Sequence, residues 1–181
     1  SPVIISAPPT TGAPLWIELE RNPLSASNEI AMMLLDANTD VYGMAWNGSS
    51  WSNMGTAVVW DASAAISTKK IIDIAYEQLS GRALFMWGDA TATDQYYRIW
   101  NGSTLTAATL LDIPAAGGAA AWIRLAARPN SNELLYGVEK SQQQQKKVPY
   151  QQQQSCQQKP NQQSVQFSHT GVSDFDVRLD C

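Results

Sequence analysis

Tyr96, Arg98 and Trp100 occupy alternate positions of one short segment, Gln95 to Trp100. In a β-strand successive side chains point to opposite faces, so these three share a face. An aromatic ring beside a guanidinium suits a sugar, because the ring stacks on its C–H face while the guanidinium bonds its hydroxyls. Tyr42, Trp46 and Trp51 stand 54 residues before Tyr96, Trp100 and Leu105, with Met44 at the position of Arg98. Tyr42, Trp46, Trp51, Tyr96, Arg98 and Trp100 therefore form the candidate ligand-binding set, with glycans as the candidate ligand. The competing use of the same aromatics is packing between sheets.

Catalytic chemistry has little to draw on. His169 is the only histidine, so no His-based triad with a repeat-zone serine and no His/Cys metal cluster is expected. The carboxylates Asp36, Asp40, Asp61, Asp73, Glu77, Asp89 and Asp94 are scattered. Asp40 and Asp94 recur at the 54-residue offset, and a group needed once in a reaction would not recur in every unit. They read as residues that cap turns. Asp36-Ala37-Asn38-Thr39-Asp40 lacks the Gly and distal Glu of a calcium loop, and no Gly-rich phosphate loop occurs. No catalytic residue, metal or cofactor is predicted. Asn47-Gly48-Ser49 and Asn101-Gly102-Ser103 match the N-glycosylation sequon; the other reading of Asn-Gly is a type I′ hairpin turn, with positive φ at both central positions.

These residues sit in a repeat. Trp46-Asn-Gly-Ser returns as Trp100-Asn-Gly-Ser, and the same offset pairs Ile30 with Leu84 and Met32 with Met86. Trp16-Ile-Glu-Leu returns as Trp122-Ile-Arg-Leu, each followed by Pro (Pro23, Pro129) and then Ser-Asn-Glu (Ser27–Glu29, Ser131–Glu133). Such self-similarity marks one supersecondary unit stacked beside copies of itself. Short β-branched and aromatic runs bounded by turn residues predict strands at 16–20, 29–35, 41–46 and 57–60, at 71–76, 82–87, 95–100 and 107–111, and at 122–126 and 133–138. Helix is the rival for 57–65 and 115–121, but Val58, Val59 and Trp60 interrupt the first, Gly117-Gly118 the second, and neither has a capping box.

Four short antiparallel strands per unit predict an all-β chain of propeller-type repeats, with a β-sandwich as the alternative. The expected division is 1–15 leader or linker, 16–138 repeat domain (units 16–69, 70–121 and a partial 122–138), 139–164 Gln-rich linker or insertion, and 165–181 terminal β-hairpin. Residues 142–163 contain twelve Gln, too polar to offset chain entropy by burial. Val165, Phe167, Phe175, Val177 and Leu179 alternate as a hairpin core would. Cys156 and Cys181 are the candidate disulfide, with a free thiol or an intermolecular bridge as alternatives. Since propellers have four to eight blades, two and a fraction units predict either a piece of a longer chain or several chains sharing one assembly, a homo-oligomer or filament.

With 181 residues, net charge −4 and 15% charged residues, the chain lacks the basic clusters that nucleic acid or an anionic membrane surface requires. No apolar run reaches the length of a membrane span. Seven Trp and six Tyr against three Phe, with Ser, Thr, Asn and Ala abundant, suit a secreted β protein. The chain opens at Ser1-Pro2, as a mature or excised fragment would. Extracellular or cell-surface location is expected.

The run Trp-Ile-x-Leu, Pro, Ser-Asn-Glu, then Asp73 to Leu84 and Tyr-x-x-x-Trp-Asn-Gly-Ser, resembles propeller-like repeats of large bacterial extracellular proteins over residues 16–138. That resemblance implies architecture and secretion. The Trp46–Trp51 hairpin is also similar to blades of fucose-binding lectins, some of which assemble a ring from two-blade chains, and departs from them at Leu105. The expected function is a non-catalytic structural or interaction module that self-associates; the alternatives are a carbohydrate-binding lectin and, third, a glycoside hydrolase on a propeller.

Overall fold

The computed structural model describes residues 12–54, 59–64, 68–90, 94–112 and 119–140. They form eleven strands: β1 (Pro14–Arg21), β2 (Ile30–Asp36), β3 (Val41–Trp46), β4 (Trp51–Ser52), β5 (Val59–Asp61), β6 (Ile72–Tyr76), β7 (Ala83–Gly88), β8 (Asp94–Trp100), β9 (Thr109–Asp112), β10 (Ala120–Ala127) and β11 (Leu134–Lys140). No helix occurs among the described residues. The Gln-rich segment, Cys156, Cys181, His169, the terminal hairpin and residues 1–11 lie outside them.

The strands make three antiparallel sheets in simple chain order. The first is β1-β2-β3, with β4 and β5 both paired to β3, so its fourth position is split in two. The second is β6-β7-β8-β9; a bridge between Trp100 and Leu105 reproduces there the Trp46–Trp51 pairing of the first. The third is the hairpin β10-β11. No closed ring or barrel forms among the described residues. β1 begins two residues before the expected edge of the repeat zone, and β11 ends two residues beyond it.

Register corrects part of the sequence alignment. Ile30 lies opposite Trp46, and Ala83 opposite Trp100. Ile30 is thus equivalent to Ala83, not to Leu84, and Met33, not Met32, is equivalent to Met86. The β7–β8 loop holds one residue more than the β2–β3 loop, so the offset is 53 before it and 54 after. One residue of slip exchanges the two faces of a strand, so the distinction decides which side chains enter the core.

The sheets stack. β1 and β2 pack on β6, and β10 packs on β6 and β7. β6 and β10 run alongside each other, joined by a parallel bridge from Lys70 to Trp122 and by Ile123 N–H donating to the Lys70 carbonyl at 2.9 Å. Apolar alternation explains the stacking: Ile72 and Ile74 point to one sheet interface, Ile123 and Leu125 to the other, all buried. Trp60 of β5 lies across Gly43, where a Cβ would come within 2.0 Å of its ring. It meets Phe85 edge-on at 5.1 Å and Trp87 at 6.0 Å. Burying such rings between sheets is the main favourable contribution to folding here.

Candidate functional site

Each sheet opens with a hairpin whose base is closed in one way. Asn22 N–H donates to the Glu29 carbonyl (3.0 Å), Glu77 N–H to Arg82 (2.8 Å) and Arg128 N–H to Glu133 (3.0 Å). Side chains repeat the link: Asn22 Nδ2 approaches Glu29 Oε1 at 3.4 Å, Arg82 grips Glu77 through Nε and Nη2, both at 2.8 Å, and Arg128 Nη1 bonds Glu133 Oε2. Burial would raise the Glu77 carboxyl, but hydrogen bonds from Arg82 and Ser80 and the Arg82 charge outweigh it and hold it below its ordinary value.

Glu29 also crosses to the second sheet. Its Oε1 accepts from the Tyr76 hydroxyl at 2.9 Å, and its Oε2 accepts from Trp100 Nε1 at 2.8 Å. Burial, and then the Glu29 charge, push the Tyr76 phenol well above its usual value, so it stays a donor. Trp100 is 6% exposed, and its polar edge is held by a carboxylate.

The six candidate residues divide accordingly. Tyr96, Arg98 and Trp100 do share a face, and that face looks toward the first sheet. Tyr96 stacks on Trp87 at 5.9 Å, and the Arg98 guanidinium lies 5.1 Å over the Trp60 ring. Burial lowers the Arg98 pKa, and its Nε has no hydrogen-bond partner among the described residues. Tyr42 is 1% exposed, with its hydroxyl on Asp36 Oδ2 (3.0 Å) and Asp40 Oδ2 (3.1 Å). Trp46 and Trp51 are half-buried and touch each other, ring centroids 5.8 Å apart. Trp46 lines an open groove of about 520 Å³ with Arg21, Leu24, Ser25, Ser27 and Asn28.

Asn47 and Asn101 are exposed and build matching turns. Asn47 Oδ1 accepts from Ser49 N and Oγ and from Ser50 N, each at 2.9 Å. Asn101 Oδ1 accepts from Ser103 N and Oγ (3.0 Å each) and Thr104 N (2.8 Å). The expected type I′ turn is not formed. Only the glycines take positive φ, 99° at Gly48 and 91° at Gly102, because the asparagine side chain supplies the acceptor that closes the loop.

A second polar cluster runs along the adjoining first strands. Lys70 Nζ, almost wholly buried, pairs with Glu18 Oε1 at 3.0 Å and Asp73 Oδ1 at 3.3 Å, and lies 5.5 Å over Trp122. Asp73 Oδ2 accepts from Leu125 N–H, and Trp16 meets Trp122 edge-on at 6.4 Å. Beside them Glu20 has its pKa raised by burial, then by the Asp73 charge. Sequence reasoning missed this cluster and the bridging role of Glu29. The recurrence of Ser-Asn-Glu was the available signal for Glu29; Lys70 carried none, since it precedes its strand. No protein-family model, curated protein or solved structure matches the chain.

Proposed function

We propose that this chain is a non-catalytic, extracellular structural or interaction module of propeller-type stacked sheets, which self-associates or scaffolds a surface assembly. One observation carries the reading. Ile17 and Leu19 on β1 are 53% and 56% exposed, while their counterparts in the next sheets, Ile72 and Ile74, Ile123 and Leu125, are at most 5% exposed beneath a neighbouring sheet. The positions are apolar in all three sheets and uncovered in one. Such a face favours association. Consecutive four-position antiparallel sheets with their first strands side by side favour propeller-type stacking over a two-layer sandwich. Composition and the exposed sequons at Asn47 and Asn101 favour secretion. Sedimentation velocity over a wide concentration range tests the module: oligomers are expected, and a monomer at every concentration contradicts it.

A lectin is the second reading, favoured by the groove where the half-exposed Trp46 ring stands near Arg21 and Asn28. Aromatic, guanidinium and carboxamide groups are those that hold a sugar. Glycan-array binding abolished by Trp46→Ala is then expected, and no response to any sugar removes the reading.

A further inference from the structure

We propose that the Arg128–Glu133 hairpin of one copy seats in the Trp46 groove of a second copy, head to tail, with Glu133 received by Trp46 and Arg21. The inference rests on the self-association proposed above and names its two surfaces.

The described residues contain one internal example of this seat. Registers make Arg21 equivalent to Tyr76, Ile30 to Ala83 and Trp46 to Trp100. On the second sheet that place is filled by the first sheet's hairpin: Glu29 takes the Tyr76 hydroxyl and the Trp100 indole N–H, and Asn22 Nδ2 reaches the Gly81 carbonyl at 3.1 Å. On the first sheet the same place is the open groove. At the far end of the chain, Arg128–Glu133 is the counterpart of Asn22–Glu29, closed by the same backbone bond and carrying a carboxylate at the same position. Glu133 is largely exposed.

Charge complementarity picks the occupant. Where the second sheet offers Glu29 a tyrosine, the first offers Arg21, which among the described residues pairs with no carboxylate. A second contact, made once within the chain, points the same way. Asn132 Oδ1 accepts from Leu79 N–H (3.2 Å) and Ser80 N–H (2.9 Å) of the preceding hairpin. Its counterpart Asn28 lines the groove and would take the N–H groups of Asn130 and Ser131. The seat would bring the exposed Ile17 and Leu19 onto the face bearing Trp122 and Leu135, themselves 45% and 48% exposed. Because the two surfaces differ, the contact is heterologous and propagates into a ring or a filament.

The test measures self-association of the full chain by sedimentation velocity, with near-UV circular dichroism as the control for folding. Arg21→Glu and Glu133→Arg should each weaken association about tenfold or more. Trp46→Phe, which keeps the ring and removes the donor, should weaken it about fivefold. The double variant, and an equimolar mixture of the two charge-reversed single variants, should recover it in part, to within about fivefold of wild type, because an arginine at 133 restores the charge pair but cannot accept the Trp46 N–H. Association that ignores both charge reversals, or that neither combination restores, overturns the seat and leaves self-association standing. A wild-type chain monomeric throughout overturns both.

Discussion

Asp36 shows how much one side chain can organise. It is fully buried and accepts from Gly12 N, Asn38 N, Asp40 N and the Tyr42 hydroxyl, all within 3.0 Å. Burial alone would raise its pKa, but these hydrogen bonds outweigh that and lower it. A carboxylate depressed in the folded state adds stability that is present above its unfolded value, about 3.9, and is lost as pH falls through the folded value. Asp36→Asn should therefore flatten the acid limb of a stability-versus-pH curve below about pH 4; an unchanged limb contradicts the assignment. Gln95 is the opposite case: it is wholly buried, and among the described residues neither carboxamide atom has a hydrogen-bond partner. Replacing it with methionine removes the desolvation penalty, so Gln95→Met should raise stability by about 1–2 kcal/mol in urea unfolding. Gly43→Ala should lower it by about 2 kcal/mol, because the new methyl meets the Trp60 ring, and an unaffected midpoint would mean that Trp60 is not packed there.

Among elements, strand positions were legible because β-branched and aromatic runs were separated by loops with clear turn chemistry. The two-residue β4 was too short to carry a pattern. The equivalence of Ile30 and Leu84 failed because similar apolar residues alternate closely there, and only pairing with Trp46 and Trp100 fixes the face. The Asn-Gly turns were legible in place but not in type, since a turn's dihedrals depend on whether the asparagine side chain or its backbone supplies the acceptor. Matching geometry has a consequence: Asn47→Ala and Asn101→Ala should each cost about 1 kcal/mol, and losses differing severalfold in thermal unfolding would count against equivalent turns. The Lys70 cluster escaped the sequence because its partners come from two separate strands. Lys70→Met leaves Glu18 and Asp73 without their buried cation, so a loss of about 3 kcal/mol is expected, little changed by salt.

At the scale of the molecule, the sugar-site pattern on β8 was real as a pattern. Its face was fixed by alternation; its destination was not, because alternation cannot say whether a face meets solvent or another sheet. The structure turns Tyr96, Arg98 and Trp100 toward the first sheet and leaves Trp46, their relative, in an open groove. The difference between Trp46 and Trp100 is thus one of neighbours, not of local fold, and it motivates the proposed head-to-tail assembly. A cryo-electron microscopy map of the associated particle tests that account most directly. Ile17 and Leu19 of one copy should lie on Trp122 and Leu135 of the next, with Glu133 beside Trp46. A map in which these faces stand in solvent, or in which the first sheets of two copies meet across a twofold axis, would contradict it.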